Sequence, residues 1–177
     1  MATYKEIVTK AVIGKAKKTN RMNFSFTPDE KVDTVLGCWV INHNFSGVNN
    51  GGKVGVNGAF DVNVWYSYEN DTKTKVNTKR FGYNELLNVP LKDQASLTNT
   101  SEIIVRSLRQ PSVIDVNIDN GNILLNIEKE LGVEIVGDTK IKVPIEDIDD
   151  DYEEIVDEQE FEAIEEINDN YLNDDVN

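Results

Sequence analysis

The sequence predicts an all-β fold, an antiparallel β-sandwich or flattened barrel, followed by an acidic C-terminal tail that is disordered or partly helical. Apolar residues recur with period two through most of residues 1–144, and Asn- and Gly-rich turn signals separate these runs at intervals of about ten residues. The charges are also divided. Of 32 acidic residues, 16 lie in 145–177, where no Lys or Arg occurs, and the other 16 share residues 1–144 with all 18 basic ones. A body of +2 thus carries a tail of −16, and a block of like charge repels itself and stays solvated. The expected organisation is a β-rich assembly domain over 1–144 and an acidic tail over 145–177.

The clearest strand is AFDVNVWYSY, 59–68, with Phe60, Val62, Val64, Tyr66 and Tyr68 on one face and Asp61, Asn63 and Ser67 on the other. Half-buried antiparallel strands alternate in this way. Trp65 is the exception, an indole on the polar face: either a second layer covers it, or it is a contact residue of the kind that anchors protein interfaces. In LGCWVINHNF, 36–45, alternation places Trp39, Ile41, His43 and Phe45 on one face and Leu36, Cys38 and Val40 on the other, as in a central strand. SGVNNGGK, 46–53, reads as a hairpin loop because Asn and Gly reach positive φ cheaply. The Lys- and Thr-rich segment 73–83 reads as an edge strand that discourages further pairing. Pro90 interrupts, and 92–101 reads as loop.

The second half repeats the pattern. Ile114, Val116 and Ile118 lead through the turn signal DNGN, 119–122, to Ile123, Leu125 and Ile127, and a further strand pair is expected in 131–143. Residues 4–13 fit a helix or a strand, with strand favoured, and 102–110 fit either before Pro111. In the tail, Phe161, Ile164, Ile167 and Tyr171 fall at helical spacings, so 158–172 can present an apolar stripe to a partner's groove; clustered like charge opposes that helix in isolation.

Catalytic chemistry is thinly signalled. One Cys and one His preclude a disulfide framework and a Cys/His zinc site. Five positions apart on a regular strand, Cys38 and His43 point to opposite faces and meet only if a bulge intervenes. Gly47 to Lys53 matches the spacing of a phosphate-binding loop, yet Val54 stands where Ser or Thr must bind magnesium, and strand follows where a helix is needed. The acidic run at 147–151 lacks the central Gly of an EF-hand. No catalytic residue, cofactor or metal is expected. The basic set Lys10, Lys15, Lys17, Lys18 and Arg21 is too small to favour nucleic acid over the tail's charge and reads as a solvated face. No secretory signal or apolar stretch of membrane-spanning length is visible.

Five strings, YKEIVTKAV (4–12), LGCWVINH (36–43), DVNVWYSYENDTKT (61–74), RQPSVIDVNI (109–118) and GVEIVGDTK (132–140), followed by an acidic C-terminus, resemble the outer spore coat morphogenetic CotE family of endospore-forming bacteria. The resemblance runs in order over nearly the whole chain. It implies a structural scaffold of sporulation, not an enzyme, made in the mother-cell cytoplasm and then located in the outer coat at the forespore surface. Its implied partners are itself, as a homo-oligomer, the ATPase scaffold of the coat's basement layer, and outer coat proteins. Candidate interaction residues are Trp65, Tyr66 and Tyr68 in the body and Phe161, Ile164 and Ile167 in the tail. The alternative is a non-catalytic carbohydrate- or ligand-binding β-sandwich module, with Trp39, Trp65 and Tyr66 stacking on sugars.

Overall fold

A computed structural model describes residues 3–92 and 95–145. The tail residues Phe161, Ile164 and Ile167, and the helix expected over 158–172, lie outside the described residues. The chain divides into two compact units, Glu6–Val143 and a second drawn from the two chain ends. The buried apolar residues of the described chain all belong to Glu6–Val143.

Six strands and no helix make up the described fold: β1 (Thr3–Phe26), β2 (Val32–Asn50), β3 (Lys53–Tyr68), β4 (Lys73–Leu87), β5 (Glu102–Asp119) and β6 (Asn122–Ile145). They form two three-stranded antiparallel sheets, β2-β3-β4 and β1-β6-β5. The β-sandwich class predicted from period-two alternation is the class observed. Among the described residues no helix is long and apolar enough to cross a membrane.

Each sheet forms where the alternation is strongest. In β3, Val54, Val56, Phe60, Val62, Val64 and Tyr66 are buried, and in β6 so are Ile123, Leu125, Ile127, Leu131, Val133 and Ile135. These rows face each other as the two central strands, and they build two apolar clusters. One gathers Phe60, Val62, Val64 and Tyr66 with Ile123, Leu125 and Ile127. The other gathers Val54, Val56 and Leu87 with Ile13, Leu131, Val133 and Ile135. Gly47 of β2 lies so close to β5 that a Cβ there would stand 2.7 Å from both Ile103 and Val105, which draws these two edges together.

Ion pairs hold the outer face of the second sheet. Lys15 pairs with Glu134 (3.1 Å), Lys17 with Glu130 (3.8 Å) and Arg21 with Glu128 (2.7 Å), so β1 and β6 run antiparallel; Arg109 of β5 reaches Glu128 from the other side (2.7 Å). The basic cluster is therefore a solvated face, as expected, though three of its members have glutamate partners.

Three local expectations need correction. The hairpin loop expected at 46–53 is mostly strand: β2 runs to Asn50, and only Gly51 and Gly52, at φ 60° and 84°, turn the chain. The strand pair expected in 131–143 is one strand, because the 24-residue β6 continues without a turn. Pro111 does not end its segment either. β5 carries it at a register irregularity between Arg109 and Ser112, where the missing N–H costs no ladder bond.

Candidate functional site

Two places in Glu6–Val143 concentrate features beyond ordinary packing: an open face of aromatic residues and a buried polar cluster. The open face follows from the pleat of β2 and β3. Trp65 lies opposite Gly37, and Trp39 opposite Asn63, on the side of the sheet away from the core. Both indoles are 42% exposed. A Cβ at Gly37 would lie 3.8 Å from Trp65 Cε3 and 3.9 Å from Trp39 Cζ3, so the two rings flank the glycine and share one surface. Val76 of β4, opposite Trp65, and Ile41 of β2 extend it, both exposed.

Polar residues border the patch. Asp61 accepts from Asn42 Nδ2 at 2.8 Å and from Arg80 Nη1 at 3.0 Å, which holds its carboxyl below the usual carboxylate range. Thr78 donates to Asn63 Oδ1 at 2.6 Å. An apolar centre within a satisfied polar rim is the anatomy of a protein interface.

Of the sequence candidates, Trp65 lies on this open face and Tyr66 and Tyr68 on the other. Tyr66 is fully buried, and its O–H donates to Glu30 Oε2 at 2.7 Å. Tyr68 is half-buried with its ring centroid 6.4 Å from that of Tyr66. These two tyrosines are core side chains and share no patch with Trp65. Regular alternation does not reveal Trp39 and Ile41 as neighbours of Trp65, because it puts them on the face of His43 and Phe45. Asn42, at φ 54° within an irregularity between Ile41 and Asn44, breaks that alternation. It leaves Trp39 and Ile41 outward and turns His43 and Phe45 inward. Asn is among the few residues that adopt positive φ readily, and this is the one local signal of the break.

The same bulge removes the geometric bar between Cys38 and His43, since both face the core, but their environments do not couple them. Burial pushes the Cys38 thiol up. Both His43 nitrogens have other partners: Nδ1 donates to Gln110 Oε1 at 3.1 Å, which fixes Nε2 as acceptor of the Tyr83 O–H at 2.8 Å. Burial, assisted by the charge of Lys129, lowers the His43 pKa.

The chain of polar groups continues. The Lys129 ammonium lies 4.2 Å from the centroid of the Tyr83 ring and forms an ion pair with Glu85. Lys129 is fully buried, at 0% exposure. Gln110 of β5, His43 of β2, Tyr83 and Glu85 of β4, and Lys129 of β6 thus link both sheets through one network. Gly58 makes room for it, because a Cβ there would overlap the Tyr83 ring.

Burial, and then the Glu85 charge, push the Tyr83 hydroxyl up to about 12. A phenol whose folded pKa exceeds its unfolded value near 10 keeps its proton longer in the folded state, so its contribution to stability is present below about pH 10 and is lost as pH rises toward 12. The urea midpoint of the wild type should therefore fall across that window. Tyr83→Phe should fall less, and equal slopes for the two proteins would exclude Tyr83 as the source.

Among the described residues, no group of three His, Cys, Asp or Glu side chains is placed to hold a metal. The described fold is thus a β-sandwich with two tryptophans on an open sheet face. The chain belongs to the outer spore coat protein E (CotE) family, whose model matches residues 3–174, nearly its whole length. That is a structural family of the spore coat, which places this chain in the coat among other coat proteins. No curated protein and no solved structure gives a significant match.

Proposed function

We propose that this chain is a morphogenetic scaffold of the spore coat, whose β body, residues 1–144, self-associates and whose acidic tail, residues 145–177, recruits outer coat proteins around the forespore. The observation that supports this most is the Trp39–Gly37–Trp65 face, a contiguous aromatic surface open to solvent in Glu6–Val143. Exposed apolar patches rimmed by polar groups mark contact sites. Family membership supports the setting, a layer built from many proteins. In that setting the chain is made in the mother cell and bridges the ATPase scaffold of the basement layer to its clients. Arrayed tails of charge −16 present many weak sites at once, so capture depends on multivalency. Tail residues Phe161, Ile164 and Ile167 supply the apolar anchors.

Light scattering coupled to size-exclusion chromatography, on the full chain and on residues 1–144 across a salt series, tests the division of roles. Both proteins should form assemblies that persist at high salt, and only the full chain should retain client coat proteins in pull-down. Monomers for 1–144 beside assemblies of the full chain would move self-association to the tail. A carbohydrate-binding module draws on the same paired tryptophans; specific retention on a glycan array with a monomeric wild type would favour it.

A further inference from the structure

β1 is an edge strand of the β1-β6-β5 sheet, and its first half has an unusual setting. Pairing between β5 and β6 begins at Glu102 opposite Val136, so β6 beyond Val136 has β1 as its sheet neighbour. The far edge of β1 is covered at one point: Lys92 N–H donates to Ile13 O at 2.7 Å, and Leu91 bridges Gly14. Among the described residues, nothing covers that edge from Glu6 to Val12. Residues 6–12 and 137–143 therefore form a two-stranded ribbon, an arrangement that is marginal alone in water. Ile7, Val8, Val12, Ile141 and Val143 on it are all exposed.

The sequence of this edge is complementary to itself. In an antiparallel pairing of β1 with a second β1 about a two-fold axis at Val8, Glu6 of each copy, which lies 3.9 Å from Lys142 of its own chain with both side chains exposed, stands opposite Lys10 of the other. Moving the axis one residue either way places Glu6 opposite Val8 or Val12 and loses both charge pairs. Directly opposed residues of the two copies exchange hydrogen bonds at alternate positions, and Val8 meets Val8 at the axis.

We propose that residues Glu6–Lys10 of β1 form a two-fold strand-pairing contact with the same residues of a second copy, joining two sheets into one. This rests on the scaffold reading and deepens it. A single two-fold contact closes at a dimer, whereas two different contacts on one chain propagate an open assembly. The β1 edge and the tryptophan face lie on different sheets and supply two.

The full-length chain tests the contact. Val8→Lys, at a position 66% exposed, sets two like charges against each other at the axis and leaves the β1–β6 ladder intact. It should reduce extended assemblies to dimers held by the other contact. Glu6→Lys should do the same by setting like charges opposite each other, and Glu6→Lys with Lys10→Glu should restore assembly, a rescue that damage to the fold would not show. Val8→Cys in a Cys38→Ser background should give a disulfide-linked dimer as the major species on mild oxidation, since a Cα separation of about 4.5–5.5 Å across directly opposed residues suits the bond. Unchanged assembly in folded Val8→Lys, together with no crosslink at position 8, overturns the contact, whatever else occupies this edge. A wild type that stays monomeric at every concentration overturns the scaffold reading along with it.

Discussion

Glu85→Leu should be among the most damaging single substitutions in the body, costing about 3–5 kcal/mol of folding stability by leaving an uncompensated buried ammonium. Lys129 is 0% exposed and Glu85 is its ion-pair partner. Burial lowers the Lys129 pKa, so part of the penalty is relieved as pH rises and the amine sheds its proton. The Glu85→Leu deficit should accordingly shrink at alkaline pH. Lys129→Met alone strands the carboxylate and should cost less, since Glu85 keeps some contact with water, its side chain being 11% exposed. The double variant Glu85→Leu/Lys129→Met should recover to near the wild type or exceed it, because buried ion pairs are often replaceable by apolar residues of similar volume. Urea unfolding of all four proteins, read as a double-mutant cycle, gives the coupling; additive losses would show that the pair does not act as a unit.

The reason to keep such a pair is positional. Inward side chains of β6 read Ile123, Leu125, Ile127, Lys129, Leu131, Val133 and Ile135, a nearly uniform apolar row. A slip of two residues keeps the same face inward and so meets little resistance from hydrophobicity alone. Lys129 resists it, because only one register brings its ammonium to Glu85 and the Tyr83 ring. A polar residue that fixes register at some expense of stability has precedent in coiled coils.

This network also marks the boundary of what a sequence conveys. The β-sandwich is legible because Phe60 to Tyr68 and Ile123 to Ile127 alternate without interruption, and alternation is a local signal. Lys129 sits in phase with that row but is charged, and its acceptability depends on Glu85, 44 residues away on the other sheet. Nothing local announces that pairing. The tryptophan face is half legible. Trp65 stands out as an indole among polar positions, while alternation puts Trp39 on the opposite side because one residue at positive φ, Asn42, inverts the phase of β2. Period-two reasoning assumes unbroken pleating, so each bulge reverses every assignment beyond it. The strand pair expected in 131–143 is instead part of the single long β6, since alternation alone does not say where one strand ends; Gly132 and Gly137 both lie in strand, where close approach of Leu108 and of Ile13 uses the missing side chain.

Trp39→Ala/Trp65→Ala should have the largest effect on assembly with the least effect on the fold. Each indole is 42% exposed and on the outer face, so the core keeps its contacts, and substitutions in such places usually shift stability by no more than about 0.5 kcal/mol. An interface anchor is worth about 2 kcal/mol or more, or roughly a 30-fold loss of association constant. Adjacent anchors do not add simply, so the double variant should lose at least that factor. With the β1 edge also pairing copies, the species that remains is a dimer; combined with Val8→Lys, it is a monomer. Tyr66→Ala is the internal contrast. The neighbouring residue has 0% exposure, and its truncation should cost about 3–5 kcal/mol through the cavity it leaves, lowering the urea midpoint sharply. Sedimentation velocity and urea unfolding on the same preparations separate the two effects. Unchanged assembly in Trp39→Ala/Trp65→Ala would remove this face from the scaffold, and a fall in its urea midpoint comparable to that of Tyr66→Ala would make the indoles structural.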